Sequence, residues 1–192
     1  MFRRLITLTI YLMGLSMLAG AQKLAVKTNL LYDAGALSPN IGLEMGLGPR
    51  TSIYMVGAYN PWNLEGSEGN NRKRVHWLGN IEYRRWLRER FNGHFLGVHI
   101  LGTRYNVGGY KIPLLFEPDF RYEGWAVGAG LSWGYHWVWS PHWGLEFNAG
   151  WGYAYMQYDT YSCKKCGEME GSYSKHYFGP TRAGISLVFM IR

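Results

Sequence analysis

The chain has 192 residues, a formal charge of +7 and 17% aromatic residues, with 26 Gly, 9 Trp and 15 Tyr. The length suits a single domain, and the scattered, modest positive charge argues against nucleic acid as a partner. So many aromatic residues exceed what a water-soluble core of this size needs, but they suit a transmembrane β-barrel with an aromatic girdle at each membrane interface.

Residues 1–21 have the pattern of a cleaved signal peptide. Arg3 and Arg4 form a basic start, residues 5–18 an apolar stretch, and Ala19-Gly20-Ala21 a small-x-small cleavage site. Without them the domain is 22–192 and its formal charge is +5. No later stretch is long and apolar enough for a spanning helix, so insertion into a membrane requires a closed sheet.

Eight strands are expected, at 23–33, 40–48, 51–60, 75–87, 94–107, 121–138, 142–158 and 178–191. The seventh shows the pattern best. Trp143, Leu145, Phe147, Ala149, Trp151, Tyr153 and Tyr155 alternate with Gly144, Glu146, Asn148, Gly150, Gly152 and Ala154. Successive side chains of a strand point to opposite faces, so this strand has one large apolar face and one small, polar face. Gly48-Pro49-Arg50, residues 88–93 and Trp139-Ser140-Pro141 make short connections. The connections at 34–39, 61–74, 108–120 and 159–177 are longer. With a periplasmic N-terminus the short ones fall on the periplasmic side, as outer-membrane barrels require.

The fold class expected is therefore all-β, an eight-stranded antiparallel transmembrane up-and-down β-barrel. The rival is a soluble, lipocalin-like barrel binding a small apolar ligand. It would turn Trp125, Trp133, Phe147, Trp151 and Phe189 into a narrow interior and leave Gly128, Gly130, Gly134, Gly150 and Gly152 on a wet surface, where glycine only weakens strands.

Three segments carry a family resemblance. They are Lys27-Thr28-Asn29-Leu30-Leu31-Tyr32-Asp33-Ala34 with Pro39-Asn40-Ile41-Gly42-Leu43-Glu44, then Gly93-His94-Phe95-Leu96-Gly97-Val98, then Phe178-Gly179-Pro180-Thr181-Arg182 with Ile185-Ser186-Leu187-Val188. Together they resemble a domain-of-unknown-function family of small bacterial outer-membrane β-barrel proteins. The resemblance implies location and fold, and supplies no catalytic or binding residue.

Candidate functional residues come from the small-residue face. Glu44, Glu82, Arg84, Glu146 and Arg182 lie on it, as does Lys27, and are expected to pair as a lumen charge network, because buried charges persist only when paired. Arg72, Lys73 and Arg74 form a cationic cluster that could contact lipid phosphate. Cys163 and Cys166 are expected as a small disulfide loop or free thiols in the last outer connection. A zinc site would need four ligands, and only Glu168, Glu170 and His176 are at hand. The six histidines have no metal-ligand spacing, and a rim arrangement of His76 or His176 with Ser172 or Ser174 would be needed for the competing reading, a membrane enzyme acting on outer-leaflet lipid. No cofactor, metal or catalytic residue is expected. The functional expectation is a monomer in the bacterial outer membrane, surrounded by lipid and without an open pore. Its role would be structural or interactive: membrane integrity, adhesion, or support of surface-structure assembly through the outer loops.

Overall fold

The computed structural model describes residues 24–35, 37–64, 72–111, 115–162 and 168–191. The segment 1–21, expected as a signal peptide, and the pair Cys163 and Cys166 lie outside the described residues. The elements in chain order are β1 (Leu24–Asn29), α1 (Leu30–Gly35), β2 (Asn40–Gly48), β3 (Thr51–Asn60), β4 (Asn63–Leu64), β5 (Arg72–Trp86), β6 (Gly93–Gly108), β7 (Arg121–Val138), β8 (Trp143–Tyr161) and β9 (Met169–Ile191).

Apart from the short β4, each strand pairs antiparallel with its neighbour in the chain, and β1 pairs with β9. Pairing of β3 with β5, from Thr51↔Arg85 to Asn60↔His76, closes the sheet into an up-and-down ring of eight strands. The two-residue β4 only adds pairing at the start of β5, through Asn63↔Lys73 and Leu64↔Arg72. The connections after β2, β5 and β7 are short and share one end of the ring. Those after β1, β3, β6 and β8 share the other.

Two expected elements are corrected. The first strand does not run to residue 33. It stops at Asn29, whose side-chain oxygen accepts the Leu31 N–H at 3.1 Å, in the manner of a helix cap, and α1 follows. Thr28 and Asn40 both donate to Asp33, at 2.8 and 3.0 Å, and fix that turn. The last strand starts at Met169, not 178, so most of the connection expected at 159–177 is paired strand. Its Ser, Gly, Lys and His residues read as loop because neither face is apolar, yet the backbone pairs with β8 through Met156↔Lys175 and Tyr158↔Tyr173. Pro180, which lacks an N–H, is accommodated beside a register shift at Gly150/Trp151.

The alternation fixes the faces. Trp125, Trp133, Phe147, Trp151 and Phe189 are exposed on the outside, which is the reverse of the lipocalin-like arrangement. Inside, near the short connections, Ala25, Trp86, Phe91, Phe95, Val188 and Met190 form an apolar cluster. Trp86 and Phe95 lie 4.9 Å apart between ring centroids, and the Trp86 indole donates to Ser52 Oγ at 2.8 Å. Toward the long connections a second cluster holds Tyr105, Phe116, Tyr122, Ala126 and Met156. The charged residues lie between these two clusters along the strands.

Candidate functional site: the interior charge network

Period-two alternation places Lys27 on β1, Glu44 on β2, Glu82 and Arg84 on β5, Glu146 on β8 and Arg182 on β9 on the inner face. The structure brings all six together. Arg84 sits at the centre. Its Nη1 lies 2.7 Å from Glu44 and 2.9 Å from Glu146, and its Nε lies 2.6 Å from Glu82. Lys27 bridges Glu44 and Glu146. Arg182 Nη1 stands 3.1 Å from Glu82. Ser52 donates to Glu44 and Ser132 to Glu82.

Three cations balance three carboxylates, and the pairs join β1, β2, β5, β8 and β9 across the bore. Bare burial of these charges would be prohibitive, and mutual attraction offsets it only where geometry and additional hydrogen bonds are good. Rings supply further stabilisation. The Arg84 guanidinium lies 4.3 Å from the Tyr54 centroid and 4.2 Å from that of Phe95. The polar partners Ser52, Ser132, Asn80 and Asn148 escaped the sequence reading. Alternation placed them on the inner face, but the cross-strand register that aims them at particular carboxylates cannot be read from one strand at a time.

The other candidate residues separate from this centre. Arg72, Lys73 and Arg74 open β5 instead of ending a loop, so Lys73 and Arg74 face opposite sides of the sheet. Arg74 donates to the Gly35 carbonyl at 3.4 Å and stacks 3.9 Å above the Tyr110 ring. At the rim, His176 meets the Tyr153 hydroxyl and Ser172 donates to Asp159, so neither serine proposed beside His176 pairs with it. His76 instead meets Ser38, a serine not singled out in the sequence, with Nε2 3.2 Å from Oγ and Nδ1 2.8 Å from the Arg74 carbonyl. Ser38 also accepts a hydrogen bond from Asn60 at 3.0 Å and is fully buried, which makes this group a clamp between α1, β3 and β5. Among the described residues no group of His, Cys, Asp or Glu could hold a metal ion.

No curated protein and no solved structure matches the chain. Residues 6–191 match the family described as Protein of unknown function (DUF3575), and the chain belongs to that family.

Proposed function

We propose that this chain is a β-barrel of the bacterial outer membrane, exported by its N-terminal signal. Its interior is sealed by the charge network, and its role is structural or interactive, exercised at the end that carries the long connections. The observation that carries this reading is the inverted amphipathicity of the ring. Paired charges occupy the middle of the interior, between two apolar clusters, while large apolar side chains stand exposed around the outside.

The arrangement of that outer face supports a bilayer in particular. Leu43, Met55, Ile81 and Ile100 are register partners across four strands and form an exposed aliphatic belt. Toward the long connections, register partners Tyr59 and Trp77, followed by Arg104 and Trp125, form an aromatic and cationic row. Toward the short connections Trp137, Trp139 and Trp143 are exposed. An apolar band between two aromatic girdles is the pattern of a membrane barrel. The ring strands β2, β3 and β5 to β9 have 9 or more residues, and about 9–11 suffice to cross a bilayer at a tilt. Eight strands leave an interior that side chains occupy, and here paired charges lie across its middle between two apolar clusters.

The test is cell fractionation with a gel of unboiled and boiled samples. The protein is expected in the outer-membrane fraction, with a folded band that shifts on heating. A soluble periplasmic protein with no such shift overturns the reading.

A further inference from the structure

At the end of the ring with the short connections, the β2–β3 and β5–β6 turns are joined into one platform. The Trp86 N–H donates to the Arg50 carbonyl at 2.8 Å, and the Arg90 N–H to the Pro49 carbonyl at 3.0 Å. The Arg90 side chain donates across to the Gly48 carbonyl at 3.2 Å. It has room because residue 46 is glycine, where a Cβ would overlap the Arg90 guanidinium. Phe91 turns through the left-handed region, with φ at 61°, and its ring is buried at the end of the bore, 5.9 Å from that of Trp86 between centroids. The turn after β5 is therefore anchored on both sides.

This platform presents Arg50, Arg85 and Arg88, all exposed. Arg85 is the register partner of Thr51, the neighbour of Arg50, so the three stand on one side of the rim. Among the described residues no hydrogen bond or ion pair engages their side chains. Outside the bore, Glu89 is the one carboxylate at this end among the described residues, whereas the opposite end mixes both signs, as in Arg121, Glu123, Asp159 and Lys175. Apolar residues interleave with the arginines. Leu47 precedes the first turn, Leu87 lies between Arg85 and Arg88, and Leu96 is the register partner of Arg85. Their exposures are 45%, 55% and 52%.

We propose that this rim is a docking surface for an anionic phospholipid. Arg50, Arg85 and Arg88 take the phosphate, since guanidinium groups pair with phosphate oxygens in a bidentate fork. Leu47, Leu87 and Leu96 take the upper part of the acyl chains. A phospholipid brings phosphate and hydrocarbon to the same place, which matches arginine interleaved with exposed leucine better than an acidic protein does. The site rests on the membrane reading above and adds a lipid preference to it.

The test counts, by native mass spectrometry, the lipids retained by the purified full chain in detergent micelles offered equal amounts of phosphatidylglycerol and phosphatidylcholine. Phosphatidylglycerol should be retained about tenfold better, because each cation near an anionic lipid surface strengthens binding roughly fivefold. Arg85→Gln with Arg88→Gln should remove most of that preference. Lys111→Gln with Lys175→Gln, which removes the same charge from the other end, should leave it. Neither glycerol phosphate nor a polyglutamate peptide should displace the lipid. Equal retention of the two lipids, equal losses in the two double variants, or displacement by either soluble anion would each overturn the proposal. The comparison of lipids needs no variant, so a poorly folding substitution leaves the test intact. The same sample run unboiled and boiled separates the two readings. Protein that does not shift on heating fails the membrane reading, and this site with it, whereas protein that shifts and retains both lipids equally fails only this site.

Discussion

Arg84 on β5 and Glu146 on β8 meet at 2.9 Å across the bore, from opposite sides of the ring, both with no solvent exposure. The same guanidinium holds Glu44 and Glu82. Removing it leaves three buried carboxylates to share two cations, Lys27 and Arg182, around one vacated position. Arg84→Met should cost about 3–5 kcal/mol, the usual penalty for breaking a buried pair from one side. Adding Glu146→Gln should recover part of the loss, so the two changes together cost less than their sum. Urea unfolding of the refolded protein measures both. An Arg84→Met variant as stable as the parent would show that the network does not hold the ring.

A charge placed outside tests the surroundings of the wall. Leu131 on β7 is 67% exposed and pairs with Val98 and Trp151 in the outer face. In a bilayer Leu131→Arg should cost about 2–4 kcal/mol. On a wet surface the same change would stay within about 0.5 kcal/mol. Unfolding measured in lipid vesicles separates the two outcomes.

Close approach inside the ring gives a third expectation. A Cβ on Gly144 would lie 2.2 Å from His136 Nε2 and 2.9 Å from the Trp137 carbonyl. His136 is fully buried, with Trp86 6.2 Å away between ring centroids, so it has little room to withdraw. Gly144→Ala should therefore cost about 1–3 kcal/mol, as overpacking does. Combining it with His136→Ala should cost less than the two changes added, because the second removes the clash. Strict additivity in urea unfolding would show that the ring does not oppose the new methyl group.

Much of this architecture is written in the sequence as alternation. Trp143 to Tyr155 state their two faces outright, and the small-residue face of the strands names Glu44, Glu82, Arg84, Glu146 and Arg182 as inner residues. Two things were not legible. The strand over residues 169–177 has polar side chains on both faces, so its existence depends on the β8 backbone beside it and no apolar period announces it. The Ser38–His76 contact joins residues 38 apart, and only the pairing of β3 with β5 and the turn after α1 bring them together. Trp86 shows the reverse error to avoid. It is a large aromatic on the small-residue face, and it is buried because the end of the bore needs an apolar plug.

The paired charges of the interior predict the electrical behaviour. Lys27, Arg84 and Arg182 pair with Glu44, Glu82 and Glu146 across the bore. An ion crossing would have to displace these pairs in a low-dielectric interior. Protein reconstituted into planar bilayers should give no steady conductance above the protein-free baseline. A steady, reproducible conductance would show that the network leaves a path.

The final prediction concerns the connections. Residues 61–71 and 162–168 join long strands at one end of the ring, and the first is rich in Gly, Asn and Glu while the second carries Cys163 and Cys166. Segments held on a rigid scaffold are where binding usually resides. The ring itself is closed by backbone pairing of β3 with β5 and β8 with β9, which these segments do not supply. Replacing both with short turns should therefore leave a protein that still shifts on heating in a gel, while a strain carrying it should behave as the gene deletion does. The Cys163→Ser and Cys166→Ser variants should bind as little zinc as the parent, since the segment offers too few further ligands for a four-coordinate site. If the short-turn variant restores the wild-type phenotype, the function belongs to the wall or the interior.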